Sequence, residues 1–116
     1  EEDKIIANMD RTQLIRVMTN LVKNATQAVQ EVESPKVMVS VQSDGDFVKI
    51  IVADNGIGIK EESKIKIFEP KFTTKTSGMG LGLGMVKNIV ETYNGTIDFA
   101  SEVGTGTIFT VRIPKA

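Results

Sequence analysis

A chain of 116 residues with no cysteine, 14 basic against 15 acidic side chains and a net charge of −1 has the size of one domain and a core that needs no disulfide. The balanced charge and the lack of a basic tract argue against a nucleic-acid partner, and no apolar run approaches the length of a membrane span. Histidine is absent too, which excludes histidine metal ligands, Ser-His triads and any modification of a histidine within the chain. The opening Glu1-Glu2-Asp3, without initiator Met or signal peptide, reads as a cut from something longer.

The first element in chain order is a helix. Asp10 and Gln13 have the spacing of a capping box, in which each side chain satisfies an amide at the helix start. Leu14, Val17, Met18, Leu21, Ala25, Ala28, Val29 and Val32 recur at helical spacing, and Ser34-Pro35 ends the pattern. The spacing predicts one amphipathic helix over residues 10–32. A hairpin follows, with Val37, Val39 and Val41 alternating against Val48, Ile50 and Val52 across a turn at Asp44-Gly45. Residues 70–80 have little apolar periodicity and read as a mobile loop. A second helix is expected from Leu81 to Tyr93, with Leu83, Val86, Ile89 and Val90 inward and Asn94-Gly95 as its stop. Two strands near 96–100 and 106–113 flank a turn at Gly104-Thr105-Gly106. No repeat or second domain is visible.

Several residue groups carry candidate chemistry. Asn20 and Asn24 are one helical turn apart on the same polar stripe as Gln13, Arg16 and Gln27. A solvated face is the ordinary reading of such a stripe, but an asparagine carboxamide also holds a hard cation without adding charge, which suits Mg²⁺ on a polyphosphate. Asp54 ends the second strand on its buried face, where a carboxylate needs a donor. It either caps its own loop or accepts from an exocyclic amine such as that of adenine, with Gly56 and Gly58 permitting close approach. Gly78, Gly80, Gly82 and Gly84 alternate across a helix start, which exposes amides suited to phosphate; a hinge or tight helix packing is the competing explanation. Phe68 and Phe72 bracket Pro70 as anchors of a lid or as plain core residues, and Lys75 either reaches a phosphate or is solvated. Neither a P-loop nor a dinucleotide-binding glycine motif occurs.

Taken in order, Asn20-Leu-Val-Lys-Asn24-Ala, Asp54-Asn-Gly56-Ile-Gly58, Phe68 with Phe72, Gly78-Met-Gly80-Leu-Gly82-Leu-Gly84 and Gly104-Thr-Gly106-Thr107 resemble the boxes of the gyrase, heat-shock chaperone, histidine kinase and MutL superfamily. The match covers nearly the whole chain, and FEPKFTTK with GMGLGLGM looks most like sensor histidine kinases of the nitrogen-regulation type. The resemblance implies an α/β fold, a two-layer α/β sandwich of the Bergerat type with helices on one face of a mixed sheet and ATP between helices and lid. It implies that Asn24 coordinates Mg²⁺, Asn20 supports the phosphate side, and Asp54 binds the adenine amine with Gly58 allowing close approach. Amides near Gly80 and Gly82 would contact phosphates. Lys23, Gln27, Gly56, Ile59, Phe68, Phe72, Thr74, Lys75, Gly78, Leu81, Leu83 and Thr107 complete the nucleotide-binding set it implies. Superfamily members that hydrolyse ATP resemble one another in a Glu four residues before the metal Asn; here Asn20 stands there, and an amide cannot take a proton from water at neutral pH.

There are departures. Gln27 replaces a frequent basic residue, Ala28 a frequent aromatic, Lys71 interrupts an apolar lid segment, and Gly84 stands for a small Ser or Ala. The resemblance implies a cytoplasmic, monomeric fragment of a two-component sensor kinase. Its partners would be ATP or ADP, the parent's dimerisation and histidine phosphoacceptor domain and, through the parent, a response regulator; the parent is either membrane-anchored or soluble. A serine kinase of the anti-sigma-factor type and a non-catalytic nucleotide-binding module share the same boxes.

Overall fold

The computed structural model describes residues 10–68 and 81–115, with backbone alone at Leu81 and Gly82. The first helix, α1 (Arg11–Ala28), opens on Asp10, whose carboxylate accepts the amides of Thr12 and Gln13 at 3.1 and 3.4 Å. Only half of the expected capping box forms. Gln13 Oε1 is buried and has no hydrogen-bond partner among the described residues, so the return bond to the Asp10 amide is not made. The helix also stops four residues short of Val32, at a Val29 cap. Val29 and Val32 continue the apolar pattern, but they do so in a turn closed by the Val32 amide on the Val29 carbonyl at 3.1 Å. The Ala28 carbonyl is diverted to the Ile57 amide, also at 3.1 Å. The start of the segment after the hairpin thus binds the exposed end of α1, where the last carbonyls lack helical partners.

The hairpin is β1 (Val37–Asp44) and β2 (Phe47–Asp54), in a register that pairs Asp44 with Phe47 and Val37 with Asp54. Its two-residue loop has Gly45 at φ 64° in the first central position, where a left-handed residue matches the twist of the strands. Short α2 (Glu61–Lys64) follows. Helix α3 (Leu81–Thr92) leads into β3 (Thr96–Glu102) and β4 (Gly106–Pro114). Asn94, not Gly95, takes the left-handed position after α3, at φ 66°. The Gly95 amide bonds the Val90 carbonyl at 2.9 Å and the Asn94 amide bonds that of Glu91 at 3.0 Å, the paired closure of a Schellman end.

The sheet order is β1-β2-β4-β3, and every pairing among these strands is antiparallel. The parallel pairing that would make the sheet mixed is not found among the described residues. Helices α1 and α3 pack together on one sheet face, giving the expected two layers. The core lies between them: Val17, Leu21 and Ala25 from α1, Leu83, Val86 and Val90 from α3, and Val48, Ile50, Val52, Phe109, Val111 and Ile113 from the two central strands. Val39 and Val41 share the core face with Val52 and Ile50, their partners in β2. They are nevertheless 46 % and 50 % exposed, because β1 is the edge strand and α1 sits chiefly over β2. No described helix is long and apolar enough to cross a membrane.

Candidate nucleotide-binding site

The site forms where the end of α1, the end of β2 and the β3–β4 turn meet. On α1 the helical repeat places Asn20, Asn24 and Gln27 beside the buried stripe of Val17, Leu21 and Ala25. Asn20 Nδ2 donates to the Arg16 carbonyl at 2.8 Å, which commits its donor side to its own helix. Asn24 is the opposite case. Its Oδ1 is buried and no described group donates to it. A buried amide oxygen without a donor is costly in the free protein, and an oxygen-seeking cation is one species that satisfies it. Lys23 is exposed, whereas Gln27 is half-buried.

Asp54 closes β2 half-buried, facing the same side as Val48, Ile50 and Val52. Its carboxylate accepts the Gly56 amide at 2.8 Å. Burial pushes its pKa above the ordinary aspartate value, and the amides of Gly56 and Thr107 offset part of that rise. The loop-capping alternative for Asp54 is therefore present, and its partly desolvated carboxylate keeps acceptor capacity to spare.

The glycines after Asp54 are explained by protein packing. A Cβ on Gly56 would lie 2.4 Å from the Ala28 carbonyl oxygen. One on Gly58, at φ 80°, would lie 2.4 Å from that of Glu102. These glycines let the loop 55–59 press on the end of α1 and on the β3–β4 turn, and the Gly104 amide bonds the Ile57 carbonyl across the second contact at 3.0 Å. Ile59 is half-buried and donates its amide to Ser101 Oγ at 2.8 Å.

Phe68 packs edge-on against Phe99, with ring centroids 5.8 Å apart, and against Phe109 at 6.5 Å. The Lys87 ammonium stands 5.7 Å from its centroid, within cation–π range. Phe68 is thus a core-packing aromatic, the plainer of its two readings. Leu83 is 3 % exposed in the core, so any contact it makes with a ligand comes from its backbone. Leu81 and Gly82 open α3. Phe72, Thr74, Lys75, Gly78 and Gly80, with the expected loop over 70–80, lie outside the described residues.

Two contributors went unnoticed in the sequence. Asn55 staples the α1–β1 connection, accepting the Lys36 amide at 2.8 Å and donating to the Ser34 carbonyl at 2.7 Å. Ser101 joins Ile59, Gly106 and Thr107. Asn55 sits inside the first glycine box, a signal that marks the loop without disclosing this role. Ser101 has no local signal, because its partner Ile59 is 42 residues away.

Fold and site together define a two-layer α/β nucleotide-binding domain. The profile of the family described as "Histidine kinase-, DNA gyrase B-, and HSP90-like ATPase" matches residues 9–116, and the chain belongs to that family. Among curated relatives, it is 44 % identical over 111 residues to the sensor histidine kinase ZraS of Escherichia coli K12, covering 96 % of this chain and 23 % of ZraS. It is 41 % identical over 103 residues to an NtrY-like sensor histidine kinase of Rickettsia conorii, covering 89 % of this chain and 17 % of that protein. The chain therefore spans less than a quarter of the length of either relative. A solved catalytic domain of the histidine kinase ThkA superposes with a TM-score of 0.81 at 39 % identity, covering 92 % of this chain and 69 % of that one.

Proposed function

We propose that this chain binds Mg-ATP and donates the γ-phosphoryl group to a histidine on a separate dimerisation and phosphoacceptor domain, as the catalytic part of a two-component sensor kinase. The observation that carries the proposal is the amide pair on α1. Asn24 presents a buried oxygen with no described donor, which fits a Mg²⁺ ligand, and Asn20, one turn earlier, has its NH₂ tied to the Arg16 carbonyl. Neither side chain can remove a proton from water at neutral pH. Bound Mg²⁺ would neutralise charge on the phosphates, which together with positioning is most of phosphoryl-transfer catalysis. The residues of this chain do the positioning. Asp54 accepts the base amine, the loop 55–59 and Thr107 frame the base, and amides at the start of α3 would contact phosphate. Similarity to sensor histidine kinases supports the acceptor being histidine, and the chain itself has none. A response regulator would then take the phosphoryl group from the parent protein.

The test supplies a histidine-bearing acceptor helix domain in trans with radiolabelled ATP. The wild-type chain is expected to label that domain while releasing little phosphate by itself, and Asn24→Ala is expected to abolish labelling. Rapid phosphate release by the wild-type chain alone, stopped by Asn24→Ala, would assign it to the ATPase branch instead.

A further inference from the structure

We propose that Ser101 is a positioning residue that sets the hydrogen-bond polarity at the base end of this site, so that selection of a 6-amino purine over a 6-oxo purine depends on its hydroxyl; the inference rests on the nucleotide-binding reading above. The register aligns Asp54 with Thr107 and Thr107 with Ser101, which places the three side chains in one row across β2, β4 and β3. Ser101 Oγ accepts the Ile59 amide at 2.8 Å, lies 3.1 Å from the Gly106 carbonyl oxygen and is 2.8 Å from Thr107 Oγ1. A serine hydroxyl has one proton and two lone pairs. The amide of Ile59 occupies one lone pair. The Gly106 carbonyl can only accept, so it takes the proton. The contact with Thr107 is then made by the proton of Thr107, given to the remaining lone pair of Ser101. This is the one arrangement that makes all three bonds at once.

The consequence falls on Thr107, which is 4 % exposed beside Asp54. With its proton committed to Ser101, its oxygen has only acceptor capacity left. The row next to the base therefore offers the Asp54 carboxylate and the Thr107 oxygen, acceptors both. An exocyclic amine meets acceptors; a 6-oxo group would leave facing acceptors unpaired. Ser101 is itself held from two further directions. The Lys64 ammonium donates to its carbonyl at 2.8 Å, and the neighbouring Glu102 carbonyl abuts Gly58. Removing the hydroxyl frees the Thr107 proton to turn toward a ligand, and it also unties the Ile59 amide.

Calorimetric titration of the chain with ADP and with IDP, in the presence of Mg²⁺, tests this. The wild type is expected to prefer ADP. Ser101→Ala is expected to reduce the ratio of the two affinities by about tenfold, the scale of one hydrogen bond. Ser101→Thr, which keeps the hydroxyl on a strand that accepts β-branched residues, is expected to restore the wild-type ratio. If Ser101→Ala does not fold, Thr107→Val removes the acceptor that Ser101 orients and should lower the ratio, though by less, because valine brings no donor to a 6-oxo group. A ratio unchanged in Ser101→Ala or, where that does not fold, in Thr107→Val, even with lower thermal stability, would make the role merely structural and overturn the inference. So would equal losses for ADP and IDP, or failure of Ser101→Thr to restore the ratio. A wild-type chain that binds ADP and IDP alike removes the inference and leaves nucleotide binding standing; one that binds neither removes both.

Discussion

At Asp54 burial of a single carboxylate links pH to stability and, in the proposed function, to ligand binding. Burial raises its pKa in the folded chain, against the partial offset from the Gly56 and Thr107 amides. The folded state therefore holds this proton more readily than the unfolded chain. The contribution of Asp54 to the stability of the unliganded domain is present at low pH and is lost as pH rises through the folded pKa. Ligand binding runs the other way, because an amine donor needs the ionised acceptor. Affinity for a fluorescent ATP analogue is expected to fall on acidification at a higher pH than an ordinary aspartate would give, and Asp54→Asn is expected to remove that pH dependence. Asp54→Asn should also weaken binding on the order of tenfold at neutral pH, since it sets a donor against a donor. Unchanged affinity would remove Asp54 from the base site. The residue was legible in the sequence because strand alternation put a carboxylate on a buried face just before a glycine pair.

Between elements, the loop after β2 is shaped by what it rests on. Gly56 fits only because nothing occupies its Cβ position 2.4 Å from the Ala28 carbonyl oxygen, and the adjacent Ile57 amide bonds that same oxygen. Gly56→Ala sets a side chain against backbone at the end of α1, and it is expected to cost about 1–3 kcal/mol in urea unfolding. Gly45→Ala provides the contrast. Its Cβ meets nothing within 4 Å, so the expected cost is the left-handed backbone penalty, about 1–2 kcal/mol. The two differ in a second measurement: Gly56→Ala should also lower nucleotide affinity, and Gly45→Ala, at the far end of the hairpin, should not. The glycine pair was visible in the sequence, but its partners were not. A glycine kept for a ligand and one kept for a neighbouring carbonyl read alike in one dimension.

Over the whole molecule, α1 serves both core and site. Leu21, 1 % exposed, packs in the core cluster with α3 and the central strands, while Asn20 and Asn24 lie on the adjoining stripe, at the proposed site. Leu21→Ala is expected to destabilise the chain by about 2–5 kcal/mol, read as a lower thermal midpoint. Saturating Mg-ADP should recover part of that loss by mass action. The sequence alone determined the order of α1, the first hairpin, α3 and the second hairpin, the main inward residues of the two helices and of β2, and the candidate amide and carboxylate positions. Those follow from periodicities of 3.6 and 2 and from turn chemistry, all of which are local. Only the tertiary structure decided that α1 ends at Ala28, that Asn94 rather than Gly95 closes α3, and that Asn55 and Ser101 hold the loop beside Asp54. Each of these depends on a hydrogen bond or close contact: with Ile57 for Ala28, within the Schellman end for Asn94, with Ser34 and Lys36 for Asn55, and with Ile59 for Ser101. Most of those partners are far away in the chain, and hydrophobic patterning reports which side of an element is buried without saying which polar group of another element meets it.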